Sequence, residues 1–500
     1  MKAAAMKSKF AAGVAVLFLG LQAHAQGVGR ITPPQEKLGT YLTDTGAGLD
    51  TGCTYRGGGP LVIQVPVPPV VNPDEIGPDG HLKNPNKLIA NKVMGATATI
   101  MFPAYDVDDK TPPAAGTVSE QDKVSFNGKA VGMLAGFNEK WRMQQFTVPI
   151  SELKFSHSVG TDINNNELRI DIDTGNAKSG IEAWCTSVDW VEVKLDVAAP
   201  YVLAHGIAAD ASTWDEADSP GVISYLNDLG VAWNRFTVPK NGSVAANAGS
   251  LGSQISNRLK TMKSDRVHII AHSKGGLDSQ AMAANSQDFK ILSLSTLSTP
   301  NYGSLVADIT SIMIEANLKK IGLEAGYPDP NKYVEKLINR TQVAYTFNKA
   351  PLPPGLWDLK TDSAMPAIMR MQRGNIWPTF SIGADADLDN NGKISNSEGA
   401  GMIYWVFGDQ MNAAYQVLRR YSSVSARLVP LALYPTYGQK LTLSMVNTSA
   451  DQPNDIVVTE ASANPSWATA LGNVKANHTT MKTGDNIRKF INQTITLGRE

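Results

Sequence analysis

The sequence predicts a chain of two structural classes: an all-β domain over residues 26–198, and then an α/β domain with a mostly parallel sheet over residues 199–500. Two observations carry this prediction. Up to about residue 198, short runs of alternating apolar and polar residues are separated by clusters of Gly, Pro, Asn and Asp. From Pro200 onward, strand-like apolar runs alternate with helical periodicity, which is typical of a parallel sheet covered by helices. A length of 500 residues also exceeds what one compact core usually organises.

The runs of the first part have the period of two that a half-buried strand requires. The clearest are ATATIMF, QQFTVPI, ELRIDID and DWVEVKLDV. In the last run, apolar residues occupy every second position from Val191 to Val197, and charged residues fill the positions between them. We therefore expect an antiparallel, β-sandwich-like accessory domain. Whether it binds a ligand or caps the second domain stays open.

The second part begins with the predicted strands YVLAHG, VAWNRFTV and RVHIIAHS, and ILSLSTLS, PTFSIGA and KLTLSMV are expected to continue the same sheet. SLGSQISNRLKTMK repeats apolar residues at helical spacing, as does TGDNIRKFINQTI near the C-terminus. Between about residues 301 and 440, helical segments such as SIMIEANLKKIGLEA separate the strands widely. An insertion of this size predicts a helical lid over a site.

The first 25 residues have the pattern of an export signal. Three lysines precede the apolar run AAGVAVLFLGL, and Ala23 and Ala25 provide the small residues that a signal peptidase recognises. We expect cleavage after Ala25 and a secreted or periplasmic protein without a transmembrane anchor, because no run is long enough to span a bilayer. An uncleaved anchor is the alternative. Lys+Arg 45 against Asp+Glu 46 leaves a net charge of −1, so nucleic acid is not an expected partner.

Cys53 and Cys185 are the two cysteines of the chain. An exported protein meets an oxidising compartment, in which such a pair tends to bridge. We therefore expect a disulfide between Cys53 and Cys185, with two separately buried thiols as the alternative. Nothing around the two residues has the spacing of metal ligands.

Ser273 lies in the segment VHIIAHSKGGLDSQ, in which an apolar strand is followed by a helix-forming run. A serine becomes a nucleophile when a tight strand-to-helix turn exposes it and a base removes its proton. Such a turn requires small residues two positions before and after the serine, and these are Ala271 and Gly275. Ser273 is therefore the candidate nucleophile, although Ala271 departs from the G-x-S-x-G pattern.

Of the seven histidines, His478 alone follows Ser273 in the chain. On a turn of this kind the catalytic residues occur in the order Ser, then Asp or Glu, then His. His478 also precedes the last amphipathic run, where a loop residue could reach the end of the sheet. It is the candidate base, and a plain surface histidine is the alternative.

The acid must lie between Ser273 and His478, where it orients the imidazole. Asp455 follows the run LTLSMV and precedes the β-branched run IVV, which makes it the candidate. Asp451 and Glu460 are nearby rivals. A plain turn residue is a further alternative.

Two backbone amides are expected to hold an oxyanion. One is the amide of Lys274, directly after the serine. The other is that of Ile207 in YVLAHGIAADASTW, where His205 and Gly206 let the chain turn. The Lys274 side chain has no role in this scheme and is expected to be solvated.

Five segments in this order, VLAHG, AHSKGG, LSTLSTPNYGS, NDIVVTEASA and NHTTM, resemble the lipase and esterase branch of the α/β-hydrolase superfamily, near the secreted bacterial lipases. The resemblance covers about residues 199–500. It implies an α/β-hydrolase fold with a helical lid insertion, a catalytic triad of Ser273, Asp455 and His478, and no organic cofactor.

The segment DLDNNGKISNSE, residues 387–398, matches a calcium loop of the EF-hand type. A structural calcium ion is therefore predicted. A polar turn without metal is the alternative, and Asp385 or Asp387 as the triad acid is a minor rival interpretation. The expected ligands are Asp387, Asp389, Asn391, the carbonyl of Lys393, and Glu398.

Taken as a set, these residues predict an exported serine hydrolase that cleaves carboxylic esters through an acyl-enzyme. The lid-sized insertion favours a water-insoluble lipid or a polyester as substrate. Amidase or acyltransferase chemistry on the same triad stays open. A catalytically inactive protein that binds through its β domain is the alternative from a different class.

Overall fold

The computed structural model describes residues 31–45, 51–110, 116–157, 165–178, 180, 182, 184–285, 287–308, 310–311, 346–347, 350–351, 354–361, 378–400, 411–430, 442–447 and 451–499. Residues 1–25, which are predicted to be an export signal, lie outside the described residues. So does much of the insertion at 301–440, for which a helical lid is predicted. Within the described part, no helix is long and apolar enough to cross a membrane.

The N-terminal part consists mainly of strands. They are β1 (Thr40–Asp44), β2 (Thr54–Tyr55), β3 (Leu61–Pro66), β4 (Met94–Tyr105), β5 (Lys123–Phe126), β6 (Lys129–Met133), β7 (Trp141–Pro149), β8 (Asn165–Asp171), β9 (Cys185–Val188) and β10 (Trp190–Val197), with one helix, α1 (Pro85–Ala90). Short 3-10 turns cover Arg56–Gly58, Pro73–Glu75, Ile150–Glu152 and Thr174–Asn176.

These strands form two antiparallel sheets. One has the order β1-β10-β4-β9-β2, with β7 also paired to β4, and the other has the order β3-β8-β5-β6. Successive side chains of a strand point to opposite faces of the sheet. In β3 this leaves Leu61, Ile63 and Val65 buried and the residues between them exposed. The apolar faces of both sheets contribute to one hydrophobic core.

The C-terminal part alternates strands and helices. The strands are β11 (Tyr201–Ala204), β12 (Trp233–Phe236), β13 (Arg266–His272), β14 (Lys290–Leu297), β15 (Thr346–Phe347), β16 (Ala350–Pro351), β17 (Thr379–Asp385), β18 (Tyr421–Pro430), β19 (Thr442–Asn447) and β20 (Thr469–Lys475). The helices are α2 (Val222–Leu229), α3 (Val244–Thr261), α4 (Lys274–Ala284), α5 (Pro354–Asp358), α6 (Met411–Arg420), α7 (Glu460–Ala463) and α8 (Gly484–Thr494), with a 3-10 turn at Ala211–Trp214.

The parallel sheet expected from the sequence is present. It has the order β12-β11-β13-β14-β17-β20, and every neighbouring pair in it is parallel. Strand β13 lies near the centre, so its residues are buried on both faces. Because the carboxyl ends of parallel strands meet at one edge, the loops after β11, β13 and β17 converge there.

The two faces of this sheet pack against different partners. Val202, Ile269 and Ala271 face the core that contains α3 and α4. Leu203 and Ile270 face the opposite core, which contains α2, α8 and the apolar residues of the N-terminal sheets. The two parts of the chain therefore share one continuous core.

Hydrogen bonds reinforce that junction. The amide of Asn72 donates to the carbonyl of Gly230 at 3.0 Å, and Val71 pairs with Val231 as an isolated β-bridge. At Gly230, φ is +82° and a Cβ would lie 2.3 Å from Leu88 Cδ2, so a glycine is required where α2 ends against α1.

One predicted strand of the parallel sheet is wrong. The run LTLSMV forms β19, which pairs antiparallel with β18 in a separate two-stranded sheet. The sixth parallel strand is instead β20, an edge strand whose residues are largely exposed. An edge strand buries little, so β20 lacks the apolar pattern that identifies a strand in a sequence.

The predicted disulfide is present. Cys53 and Cys185 are joined, with a Cα–Cα distance of 5.5 Å and a sequence separation of 132 residues. Cys185 begins β9 and pairs with Tyr55 of β2, so the bridge fixes a short edge strand to its neighbour. No free cysteine remains.

Removal of this bridge has a measurable consequence for stability. The double substitution Cys53→Ala/Cys185→Ala should lower the free energy of unfolding by about 2–4 kcal/mol, because the unfolded chain is no longer restricted by a long closed loop. Urea denaturation of the oxidised protein and the variant measures the difference. The wild-type protein in reducing agent is the control and should lose a similar amount; equal stability of all three samples would contradict the prediction.

Candidate active site

Ser273 occupies the tight turn between strand β13 and helix α4. Its backbone has φ 55° and ψ −132°, a conformation that L-residues rarely adopt. The amide of Ser273 donates to the carbonyl of Leu297 at 2.9 Å, and Thr299 Oγ1 donates to the carbonyl of Ser273 at 2.9 Å. Neighbouring strand β14 and its following loop therefore hold the strained residue in place.

The turn leaves no space for a larger residue at position 275. A Cβ on Gly275 would lie 2.5 Å from the carbonyl oxygen of His205 and 2.8 Å from that of Ala204. Ala271 is fully buried in β13, where it is in register with Ala204 of β11. Small residues on both sides of the serine thus allow β11 and its loop to approach the turn.

Three side chains form a continuous hydrogen-bonded chain at this edge of the sheet. His478 Nε2 lies 2.9 Å from Ser273 Oγ, and His478 Nδ1 lies 2.7 Å from Asp455 Oδ2. Ser273, Asp455 and His478 are all buried, with Asp455 fully inaccessible to solvent. Since the carboxylate can only accept, Nδ1 carries the proton and Nε2 is free to accept the serine proton.

Asp455 is held by its own turn. Its Oδ1 accepts from the amides of Val457 at 2.9 Å and Val458 at 2.7 Å, which leaves Oδ2 for the imidazole. Ile456 has a φ of 79°, which is rare for a β-branched residue. The amide of His478 donates to the carbonyl of Asp455 at 3.0 Å, so backbone and side chain both fix the pair.

The strand that presents Asp455 differs from the one expected. Strand β19 does not belong to the parallel sheet, and Asp455 reaches the site beside the end of β17, where the amide of Ala386 donates to the carbonyl of Asn454 at 2.9 Å. A long insertion, residues 387–453, therefore separates Asp455 in the sequence from the strand that positions it. The spacing of residues in the sequence does not reveal this contact.

The rival acids bind elsewhere. Asp451 forms an ion pair with Arg419 at 2.6 Å, and Glu460 begins helix α7. Asp385 accepts from Tyr415 Oη at 3.0 Å and from Lys475 Nζ at 2.8 Å. Asp387 accepts from backbone amides of its own loop. Asp455 is the carboxylate that contacts His478.

His272 contacts the site in a way that the sequence did not indicate. Its Nε2 lies 2.8 Å from the carbonyl oxygen of His478, and the two rings are 4.8 Å apart. Burial, followed by the nearby His478 and Lys482, holds the pKa of His272 well below that of a free imidazole. A neutral His272 can thus donate from Nε2 and fix the backbone of His478. Its position directly before Ser273 is the one signal in the sequence.

The loop after β11 passes over the serine. A Cβ on Gly206 would lie 2.7 Å from Ser273 Cβ and 3.2 Å from Ser273 Oγ, so the backbone of this loop is adjacent to the serine oxygen. His205 anchors the loop: Nε2 accepts from the amide of Val238 at 3.0 Å, and Nδ1 therefore donates to the carbonyl of Gly206 at 2.8 Å. Ile207 follows, partly buried against the core.

The Lys274 side chain is not solvated, contrary to expectation. It is 1% exposed, and its Nζ lies 2.7 Å from Asp278 Oδ1, one turn further along α4. Asn247 Nδ2 donates to the other carboxylate oxygen at 3.0 Å. Burial raises the pKa of Asp278, and the ion pair with Lys274 opposes that rise. The backbone amide of Lys274 begins the helix, where no intrahelical acceptor exists for it.

The predicted calcium loop has its acidic groups close together. Carboxylate oxygens of Asp387, Asp389 and Glu398 all lie within 4.8 Å of one another. Gly392 has a φ of +77°, as the sharp turn at this loop position requires. The side chain of Asn391 lies beside Asp389, with Nδ2 donating to Oδ2 at 2.8 Å. These oxygens are of the type that calcium prefers.

The loop is also joined to the segment that carries His478. Asn477 Nδ2 donates to the carbonyls of Glu398 and Ala400, both at 2.8 Å. Ala386 and Ile394 pack with Tyr415 and Ile456 in a small separate core. The loop and the turn of Asp455 are therefore in direct contact.

Comparison with known proteins gives partial likenesses. No family model matches the chain. Over 101 residues, which are 19% of this chain and 31% of the relative, the chain is 37% identical to triacylglycerol lipase 2 of Saccharomyces cerevisiae. The match therefore spans about a third of that relative's length.

The solved structures that resemble this chain include lipases and a carboxyl esterase. A Bacillus licheniformis lipase in its mature form has 17% identity and a TM-score of 0.37, covering 60% of this chain and 92% of its own. A metagenomic carboxyl esterase has 13% identity and a TM-score of 0.35; the match covers 59% of this chain and 76% of the esterase. Lipase 1 of Pelosinus fermentans has 13% identity and a TM-score of 0.33; the match covers 60% of this chain and 99% of the lipase.

Proposed function

We propose that the protein is an exported serine hydrolase of the α/β-hydrolase type that cleaves carboxylic esters through an acyl-enzyme. The observation that carries this proposal is the hydrogen-bonded chain Ser273–His478–Asp455, with distances of 2.9 and 2.7 Å, on a strained turn at the carboxyl edge of a parallel sheet. A serine, a base and an orienting acid in this arrangement supply nucleophilic catalysis.

In the first half of the reaction Ser273 Oγ attacks the ester carbonyl while its proton passes to His478 Nε2. Asp455 stabilises the imidazolium that results and keeps the ring oriented. The protonated Nε2 then gives its proton to the leaving alcohol, and the acyl group remains on Ser273. In the second half a water molecule loses its proton to Nε2 and attacks the acyl-enzyme; Nε2 then returns that proton to Ser273 Oγ as the carboxylic acid leaves.

The developing oxyanion needs donors that are in place before the reaction. The amides of Ile207 and Lys274 are our candidates. Ile207 directly follows Gly206, whose backbone lies beside Ser273 Oγ, and Lys274 is the first residue of helix α4. The N-terminus of that helix adds a favourable field for negative charge. A donor of this kind contributes about 3–4 kcal/mol of transition-state stabilisation in other hydrolases.

A carboxylic ester of a lipid or another water-insoluble compound is the substrate class that we favour. The local identity to a yeast triacylglycerol lipase supports it. No observation favours an amide substrate or acyl transfer. An inactive binding protein is also disfavoured, because each role in the triad has a residue within hydrogen-bond distance of the next.

We also propose that the loop Asp387–Glu398 holds a structural calcium ion. The carboxylates of Asp387, Asp389 and Glu398 would supply ligands, together with Asn391 and the carbonyl of Lys393. Such an ion would stabilise the loop and take no part in the bond-breaking steps.

The first test is hydrolysis of p-nitrophenyl esters from acetate to palmitate. Ser273→Ala should lower kcat/KM by about 10⁴-fold or more, because the nucleophile is lost. Ser253→Ala is the matched control: this serine donates to the carbonyl of Gly249 on helix α3, and the change should leave the rate within a factor of two or so. Equal activity of the wild-type protein and Ser273→Ala would contradict the proposal.

The second test separates Asp455 from its neighbours. In Asp455→Asn the side-chain oxygen keeps the amides of Val457 and Val458, so the NH₂ group faces His478 Nδ1. Nδ1 must then accept, Nε2 becomes protonated, and the base is lost; kcat should fall about 10⁴-fold with little change in KM.

Asp451→Asn is the control for that variant. Asp451 is exposed and pairs with Arg419, so its loss should leave kcat nearly unchanged. A larger loss of kcat in Asp451→Asn than in Asp455→Asn would exclude Asp455 as the orienting acid.

The third test addresses the calcium loop. Asp387→Asn/Asp389→Asn should reduce the bound calcium by about one equivalent per chain after dialysis, because two anionic ligands become neutral. Atomic emission spectroscopy measures the content. Asp485→Asn, which changes an exposed aspartate on α8, should bind as much calcium as the wild type. An unchanged calcium content in the double variant would argue against an ion in this loop.

A further inference from the structure

Four carboxyl groups are buried together in the N-terminal β domain. Asp108, Glu120, Asp122 and Asp173 are each between 1% and 3% exposed. Asp108 follows strand β4 of the first sheet, while Asp122 precedes β5 and Asp173 follows β8 of the second sheet. The group therefore lies where the ends of the two sheets meet, far along the chain from Ser273.

Two oxygens of this group have no hydrogen-bond donor. Glu120 Oε2 accepts from the amide of Asp108 at 2.5 Å, and Asp122 Oδ1 accepts from the amide of Asp173 at 2.8 Å. Glu120 Oε1 and Asp122 Oδ2 are buried without a partner in the described part of the chain. The two carboxyl groups lie within hydrogen-bond distance of each other, so a single proton held between them would satisfy both oxygens.

The nearby guanidinium of Arg56 forms an ion pair with Asp173 and not with Glu120 or Asp122. Arg56 Nη1 lies 3.0 Å from Asp173 Oδ2, and Asn176 Nδ2 donates to Asp173 Oδ1 at 2.6 Å. Both oxygens of Asp173 are thus satisfied. Glu120 and Asp122 form no ion pair with the described residues. Two facing buried carboxylates without a counter-charge are strongly unfavourable, since burial and mutual repulsion both oppose ionisation.

We propose that Glu120 and Asp122 bind a divalent cation of the calcium class between Glu120 Oε1 and Asp122 Oδ2. Carboxylate oxygens are the ligands that a hard cation prefers. The cation would tie the loop after β4 to the starts and ends of β5 and β8.

A shared proton is the competing account of the same geometry. It would neutralise one charge of the pair and leave the second carboxylate buried beside Asp108. A divalent cation neutralises both charges and can use both free oxygens as ligands. A shared proton thus leaves one buried negative charge without a counter-charge, which favours the cation, and the two accounts differ in whether metal is bound.

The experiment uses the full chain with Asp387→Asn/Asp389→Asn, so that the loop at 387–398 does not contribute calcium. This protein is dialysed against calcium, and its metal content and thermal midpoint are measured before and after EDTA. We expect about one calcium per chain and a fall in the midpoint of about 5 °C on chelation. When Glu120→Gln/Asp122→Asn is introduced into the same protein, the bound metal and the effect of EDTA should both be lost.

Two controls make the outcome decisive. Glu152→Gln, introduced into the same protein, removes an exposed ion pair with Lys129 in the same domain. This variant should retain both the metal and the effect of EDTA. If Glu120→Gln/Asp122→Asn does not fold, Glu120→Gln alone should weaken calcium affinity at least tenfold. A chain without metal and without response to EDTA would overturn the proposal in favour of the shared proton. Metal retained after Glu120→Gln/Asp122→Asn would also overturn it. Ester hydrolysis is not a readout, so these outcomes are independent of the proposed activity.

Discussion

The strained turn at Ser273 is the constraint on which the rest of the site depends. A residue with φ 55° and ψ −132° costs about 1–3 kcal/mol, and it persists because its surroundings leave no alternative. Hydrogen bonds to Leu297 and from Thr299 fix both sides of its peptide. Glycine at 275 then permits β11 to approach within contact distance, which brings the Gly206 backbone beside the serine oxygen. One backbone conformation thus sets the positions of the Ser273 side chain, the helix N-terminus and the adjoining loop.

Buried polar groups around the turn are arranged in pairs that satisfy one another. His205 accepts one amide and donates to one carbonyl, His272 reaches the carbonyl of His478, and Lys274 neutralises Asp278. A buried ion pair adds little net stability, but removal of one partner leaves an uncompensated charge at a cost of about 3–5 kcal/mol. These pairs therefore restrict the backbone of the site to a single arrangement. Glu120 Oε1 and Asp122 Oδ2 lack such a complement in the part of the chain that the structure describes.

Chain order and small flanking residues are enough to nominate Ser273 and His478 from the sequence, whereas Asp455 has Asp451 and Glu460 as rivals at that level. The disulfide also follows, since two cysteines allow one pairing. Long-range packing is what the sequence conceals. Lys274 and Asp278 have the spacing of a helical ion pair, yet their burial depends on Gly355, whose Cβ would lie 2.6 Å from Lys274 Cε. The role of His272 depends on a loop 206 residues away. Strand β20 has too little buried surface to produce a pattern.

The contact between Ser273 and His478 depends on the tertiary structure of the whole α/β part. The two residues are 205 positions apart, so their contact closes a very long loop. Until α8 and the loop before it have docked on the sheet, His478 does not reach Ser273. Under the proposed function, a partly folded chain would therefore lack the base that activates its serine, and ester hydrolysis would require the complete tertiary structure.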